Sequence, residues 1–214
     1  MFEFTLFRIP VRVEPWHWLI LGLLGSMSVG HRFDSRADII AILIFMMAGF
    51  FSILVHEMGH ALTGRHFGAR DTEVVLHGMG GVAIFPQARF TRLQSFLTTL
   101  AGPGIQIILG AIAFVLFTRF SSVEGLGLFL WSLFSVSIFW AILNCIPVWP
   151  LDGGQMLGAA LGDKKTVLTH QIGMIVAILV AVLSIKVSTF APFLFGYLAY
   201  QNYQRYKAIT GWRS

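Results

Sequence analysis

Long apolar runs constrain this chain more than any other feature of its sequence. A helix needs roughly 20 apolar residues to cross about 30 Å of hydrocarbon. The mean hydropathy is +0.76 and 12% of residues are charged, against about 25% in ordinary soluble domains. A soluble fold of 214 residues cannot bury that much apolar surface, so lipid must act as solvent. We predict an all-α membrane protein with about six transmembrane helices, near residues 16–29, 39–66, 93–118, 126–146, 167–185 and 190–203.

The first run is short for a crossing helix, and an interfacial hairpin is the alternative there. Length predicts a single integral membrane domain over residues 1–214. Within it, we expect a catalytic core at about 39–154 and accessory helices at about 16–30 and 167–204. Cys145 is the sole cysteine, which excludes an internal disulfide and a Cys-based metal site.

The distribution of basic residues predicts the orientation of the helices. The net charge is +5, but the 15 Lys and Arg residues lie in short loops and form no nucleic-acid-binding stripe. Four of them, Arg32, Arg36, Arg119 and Lys186, fall on one side of a six-span arrangement, and the other eleven fall on the opposite side. The positive-inside rule therefore places both termini in the cytoplasm. We expect the cytoplasmic membrane of a prokaryote.

The second apolar run carries the sequence His56-Glu57-Met58-Gly59-His60. Residues four apart share one face of a helix, so both imidazoles can bind one ion, and Glu57 can act as general base on a water molecule. Ionisable residues are costly at membrane depth and indicate function there. This pattern predicts a site for one Zn²⁺ ion with His56 and His60 as ligands and Glu57 as the catalytic residue. A polar cluster shared with other spans is the structural alternative.

Catalytic zinc needs a third protein ligand, and Asp152 is the strongest candidate. It follows the fourth run, which runs in the same direction as the second, so both ends reach the same membrane face. Pro147 and Pro150 interrupt regular helix before it, and the two glycines after it permit close backbone approach. A Pro-terminated helix in which Asp152 caps the next helix is the alternative. Further candidate ligands, each more typical of an ordinary polar residue, are His66, His77 and His170.

With these residues, the sequence resembles the site-2 protease family of intramembrane zinc metalloproteases. The resemblance depends on the His-Glu-Met-Gly-His motif and on an Asn-Pro-Pro-Asp-Gly pattern that begins at Asn144 and contains Asp152. Two weaker elements, residues 78–81 and 101–104, resemble Gly-rich segments of that family. One departure is Gln106, where the family often has Asn, and we expect it to alter only a local helix contact.

The resemblance implies a three-helix catalytic core and cleavage of transmembrane segments of other membrane proteins. It implies His56, His60 and Asp152 as zinc ligands, Glu57 as general base, and Asn144 as a residue that assists substrate or oxyanion binding. The expected partners are a transmembrane protein substrate, the lipid bilayer and, where regulation exists, a membrane protein that supplies it. No nucleic acid is expected.

A short β-hairpin is predicted between the second and third helices, because two apolar runs flank a Gly-rich turn there. Its exposed edge can add an extended substrate as a further strand, with Gly80, Gly81 and Val82 as contacts. A plain loop is the alternative. For the chain as a whole, the alternative functions are a zinc or divalent metal transporter and a non-catalytic metal-binding membrane protein.

Overall fold

The structure, a computed structural model, describes residues 1–30 and 35–211. Its helices are α1 (Pro15–Ser28), α2 (Arg36–His66), α3 (Arg92–Phe120), α4 (Leu126–Cys145), α5 (Asp152–Leu161), α6 (Thr166–Ser184) and α7 (Phe190–Thr210). Its strands are β1 (Phe2–Leu6), β2 (Ile9–Val13), β3 (Glu73–His77) and β4 (Gly80–Ile84). Two of the basic residues that predict the orientation, Arg32 and Arg213, lie outside the described residues.

Four helical segments among the described residues are long and apolar enough to cross a membrane: Arg36–His66, Arg92–Phe120, Leu126–Cys145 and Asp163–Ser184. They match the second to fifth predicted spans, and the chain is an integral membrane protein. The first and sixth predicted spans correspond to α1, with 14 residues, and α7, with 21 residues. Neither is among those four segments, so six crossings and the predicted three-helix core stay predictions.

Helix α2 begins with a reciprocal capping box, which fixes the start of the 31-residue helix. The Ser35 hydroxyl accepts from the backbone N–H of Asp38 at 3.2 Å, and the Asp38 carboxylate accepts from the backbone N–H of Ser35 at 3.1 Å. These bonds satisfy backbone donors that the first turn of a helix leaves without intrahelical partners.

The predicted hairpin is present as β3 and β4, but it belongs to a larger sheet with the order β1-β2-β3-β4. The sequence expectation missed β1 and β2. Strand β2 pairs in parallel with β3, with Val11 opposite Val74, and the other neighbours are antiparallel. Ile9, Val11 and Val13 alternate with more exposed residues and are at most 1% exposed. This apolar face packs with residues of α1 and α2, which explains why the N-terminal segment is a strand pair.

The chain divides into two compact units. The first contains Met1–Arg89 and Ala101–Ala141, and its core joins the sheet to α1 and α2. The second contains Phe90–Leu100 and Ile142–Ser214, and its core lies around Val148, Ala177, Phe195, Leu198 and Ala199.

Candidate metal centre

Helix α2 presents the imidazoles of His56 and His60 to each other. Their Nε2 atoms are 3.1 Å apart, and both side chains are buried. Two nitrogen ligands of a tetrahedral zinc ion, at about 2.05 Å from the metal, lie roughly 3.3 Å apart. The pair therefore has the separation that two zinc ligands need.

A series of buried polar side chains, joined by hydrogen bonds, ends at Nδ1 of His56. The Nδ1 atom of His56 lies 2.9 Å from Oε1 of Gln106, and Nε2 of Gln106 donates to the Ser52 hydroxyl at 2.8 Å. The Ser52 hydroxyl is 2.9 Å from that of Ser137. These hydrogen-bonded side chains connect α2, α3 and α4. The sequence expectation for Gln106 did not include contact with a predicted ligand; its sequence signal was an amide side chain inside an apolar run.

The wall beside His60 is the backbone of α3 at Gly102. A Cβ atom built on Gly102 would lie 2.2 Å from Nε2 of His60 and 2.3 Å from its Cε1. One residue earlier on α2, a Cβ on Gly59 would lie 2.6 Å from the carbonyl oxygen of Ala101. The two helices therefore touch through their backbones, and side chains at these two glycines would separate them.

Glu57 is buried and lies against strand β4. A Cβ on Gly81 would lie 2.4 Å from Cγ of Glu57 and 2.8 Å from its Oε1. Gly80 has φ near +120°, a backbone conformation that favours glycine, and it packs near Trp140. Val82 is 40% exposed. The hairpin therefore places its Gly-rich strand, which is an edge strand of the sheet, directly beside the predicted general base.

In the second unit, Asp152 is the first residue of α5 and is 7% exposed. The turn before it is tightly packed. A Cβ on Gly153 would lie 2.3 Å from the carbonyl oxygens of Cys145 and Ile146, and one on Gly154 would lie 2.3 Å from the backbone nitrogen of Trp149. The glycines after Asp152 therefore allow α5 to start against the end of α4. Asn144 is half-buried in the last turn of α4.

The same turn is fixed by α7 through Asn202, which is fully buried. The Asn202 amide donates to the carbonyl oxygen of Trp149 at 2.8 Å, and its oxygen is 3.1 Å from Nδ1 of His170. The guanidinium of Arg205 lies 3.2 Å from the centroid of a Trp149 ring. His170, one of the alternative ligand candidates, therefore supports the turn that precedes Asp152.

The other two histidine candidates, His66 and His77, have different surroundings. His66 is exposed at the end of α2. Nδ1 of His77 accepts from the backbone N–H of Met79 at 3.2 Å, and the His77 carbonyl oxygen is 3.1 Å from Nδ1 of His17.

His56 and His60 on α2 and Asp152 at the start of α5 each offer one ligand atom for a metal ion. Two imidazoles and one carboxylate form a donor set that catalytic zinc ions use, with a coordination position left for water or substrate. All three residues are buried, which suits a site that excludes bulk solvent. The residues present thus fit the single Zn²⁺ ion predicted from the sequence.

Comparison with known proteins shows which families this chain is similar to. The model of Peptidase family M50 matches residues 118–185. A putative zinc metalloprotease of Synechocystis is 31% identical over 72% of this chain, and a zinc metalloprotease of Methanocaldococcus jannaschii is 26% identical over 75%. The predicted resemblance to the site-2 protease family is confirmed. Stage IV sporulation protein FB of Bacillus subtilis is a further relative of the chain, 29% identical over 70% of it.

A solved site-2 protease from Methanocaldococcus jannaschii has the same fold. The TM-score is 0.66 with 22% identity, and the match covers 96% of this chain and 94% of that one. The chain spans less than half the length of the three curated relatives: 42% of the Synechocystis protein, 45% of the M. jannaschii protein and 46% of the B. subtilis protein. These matches agree with one Zn²⁺ ion and do not favour a metal transporter or a non-catalytic metal-binding protein.

Proposed function

We propose that this chain is an intramembrane zinc metalloprotease that hydrolyses peptide bonds in transmembrane segments of other membrane proteins. The observation that carries the proposal is the buried pair of His56 and His60 on α2, whose Nε2 atoms lie 3.1 Å apart. Glu57, next to the first of these ligands on α2, supplies the base that a hydrolase needs. The names of the relatives support the same reaction class.

In this proposal, His56, His60 and Asp152 hold the metal. When bound, a zinc ion supplies Lewis-acid activation of the attacking water and of the scissile carbonyl. Glu57 accepts the proton of the attacking water and later delivers it to the leaving amine nitrogen. Asn144 donates a hydrogen bond to the oxygen that becomes negatively charged.

The edge strand β4 binds the substrate in an extended conformation. A helical substrate keeps its peptide bonds in internal hydrogen bonds, so it must unwind before hydrolysis. An added strand lies about 4.8 Å beyond the edge strand with which it pairs. Because Gly81 lies against Glu57, a substrate paired near Gly80, Gly81 and Val82 has its backbone close to the general base.

The membrane arrangement belongs to the same proposal. Six crossings put both termini on the same side of the membrane, and the excess of basic residues on that side makes it the cytoplasm of a prokaryotic cell. The substrate is a transmembrane protein in the same bilayer. The ends of α2 and α4 that carry the motif and the Pro-rich turn then face the cytoplasm, from which water enters. A membrane protein partner supplies regulation.

The test compares the wild type with Glu57→Gln in cells that co-express candidate single-span membrane proteins. General acid–base catalysis contributes roughly 10²- to 10⁴-fold, so cleavage should fall by at least about 100-fold while each chain retains one zinc ion. Glu73→Gln is the matched control, because Glu73 lies on β3 and bonds to Arg12 at 3.3 Å. A Glu57→Gln variant with full activity would contradict the mechanism. Zinc uptake into vesicles without peptide cleavage would indicate a transporter instead.

A further inference from the structure

The orientation of the Gln106 amide is determined by its neighbours in the structure. Its Nε2 atom lies 2.8 Å from the Ser52 hydroxyl and 3.4 Å from the Ser52 carbonyl oxygen. A carbonyl oxygen can only accept, so the NH₂ group of the amide must face Ser52. The amide oxygen then faces His56, which it approaches to 2.9 Å.

This orientation fixes the tautomer of His56. The amide oxygen of Gln106 is an acceptor only, so Nδ1 of His56 must carry the proton and donate it. The Nε2 atom then keeps its lone pair. That atom is the one that lies 3.1 Å from Nε2 of His60, the other histidine ligand of the proposed zinc site. In metal sites, such a partner behind a ligating imidazole fixes both its tautomer and its ring orientation.

The position explains why the residue is an amide. Gln106 is fully buried in a helix long and apolar enough to span the membrane. A carboxylate would accept the same hydrogen bond, but an ionised group at membrane depth is costly. The amide accepts from His56 without a charge, and its NH₂ group is satisfied by Ser52, whose hydroxyl lies 2.9 Å from that of Ser137. All three side chains, Gln106, Ser52 and Ser137, are buried.

We propose that Gln106 is a positioning residue for the zinc ligand His56: it holds the imidazole in the Nδ1-protonated tautomer and aims Nε2 at the metal, with Ser52 and Ser137 as its anchor. The role rests on the proposed zinc site but concerns metal binding, which can be measured without any substrate. Gln106 acts through His56 and does not touch the reacting atoms.

The test exchanges Gln106 for Met, which has a similar length and offers no comparable acceptor. Loss of such a partner costs about 10- to 100-fold in metal affinity. We expect that loss for Gln106→Met in competition with a chromophoric zinc chelator, and an altered visible spectrum when cobalt(II) replaces zinc. The matched control is Gln94→Met at the start of the same helix, where the amide accepts from the backbone N–H of Thr91 at 2.9 Å. The control should bind zinc as the wild type does.

The melting temperatures of the metal-free variants separate positioning from folding. A purely structural role would lower the melting temperature of metal-free Gln106→Met and leave the zinc affinity of the folded fraction unchanged, which would overturn the proposal. Wild-type zinc affinity in Gln106→Met would overturn it as well.

A second measurement needs no variant. In the zinc-loaded wild type with ¹⁵N-labelled histidine, NMR should show His56 with its proton on Nδ1 and the metal on Nε2. The opposite assignment would refute the role of Gln106. The outcome is independent of proteolysis: a protein that binds zinc but cleaves nothing contradicts the proposed function alone, and an active protein whose Gln106→Met variant binds zinc normally contradicts this inference alone.

Discussion

Substitution of Gly102 by Ala is a direct steric test of the zinc site. The new Cβ would lie 2.2 Å from Nε2 of His60, whereas ordinary contacts of this kind begin near 3.4 Å. Subtracting 2.2 Å from 3.4 Å gives about 1.2 Å of required movement. Ligand distances in metal sites are met within about 0.2 Å. A displacement several times larger removes His60 from the ligand set.

The neighbouring backbone offers little room for relief. The carbonyl oxygen of Ala101 already lies against Gly59, so α3 cannot move toward α2 at that turn, and movement away from α2 would open the packed contact between the two helices. We therefore expect Gly102→Ala to lower zinc affinity by more than about 100-fold, beyond the range seen when only an outer partner of a ligand is lost.

Gly104→Ala is the matched control on the same helix. Nothing lies within 4 Å of the Cβ position at Gly104. Exchange of Gly for Ala inside a helix adds up to about 1 kcal/mol of helix propensity, and both variants receive that gain. Zinc content by mass spectrometry and chelator competition measure affinity, and thermal unfolding of the metal-free proteins reports stability. Equal zinc affinity in the two variants would refute the steric reasoning and the assignment of His60 as a ligand.

Two further predictions concern the third ligand and the general base. Asp152→Asn replaces a carboxylate ligand by a weaker neutral one, so zinc retention should fall during dialysis against a chelator; unchanged zinc content would remove Asp152 from the ligand set. Gly81→Ala places a Cβ 2.4 Å from Cγ of Glu57, so substrate cleavage should fall by at least about 10-fold while zinc content stays at the wild-type level. Parallel loss of zinc and cleavage in Gly81→Ala would place the strand against the ligands rather than against the base.

The apolar helices could be predicted because hydropathy over a membrane span is a local signal. The second to fifth runs each hold enough apolar residues to decide the assignment alone. The hairpin after α2 was also predicted locally, from two short apolar runs around a Gly-rich turn. Strand β2 shows period-two alternation at Ile9, Val11 and Val13, but its parallel partner β3 lies about 60 residues away in the sequence. No local sequence pattern predicts that pairing.

The same distinction applies to the site. His56 and His60 are four residues apart on one helix, so their shared face follows from helix geometry. The roles of Gln106 and Gly102 depend on how α3 is placed against α2. Sequence alone indicates only an amide and a glycine in an apolar run, and the register between two helices is what turns them into neighbours of the ligands.

That register has a simple form. Gly102 lies against His60 and Gln106 against His56, so a spacing of four residues on α3 matches a spacing of four residues on α2 in the reverse order. Each spacing corresponds to a rise of about 6 Å, so the two helices meet the two imidazoles as antiparallel rods in step. At position 102, α3 needs a small residue, to leave room for the His60 ring. At position 106 it needs a long polar side chain, to reach Nδ1 of His56. A slip of one residue on α3 would move both groups away from their imidazoles at once, which makes the contact between α2 and α3 part of the metal site.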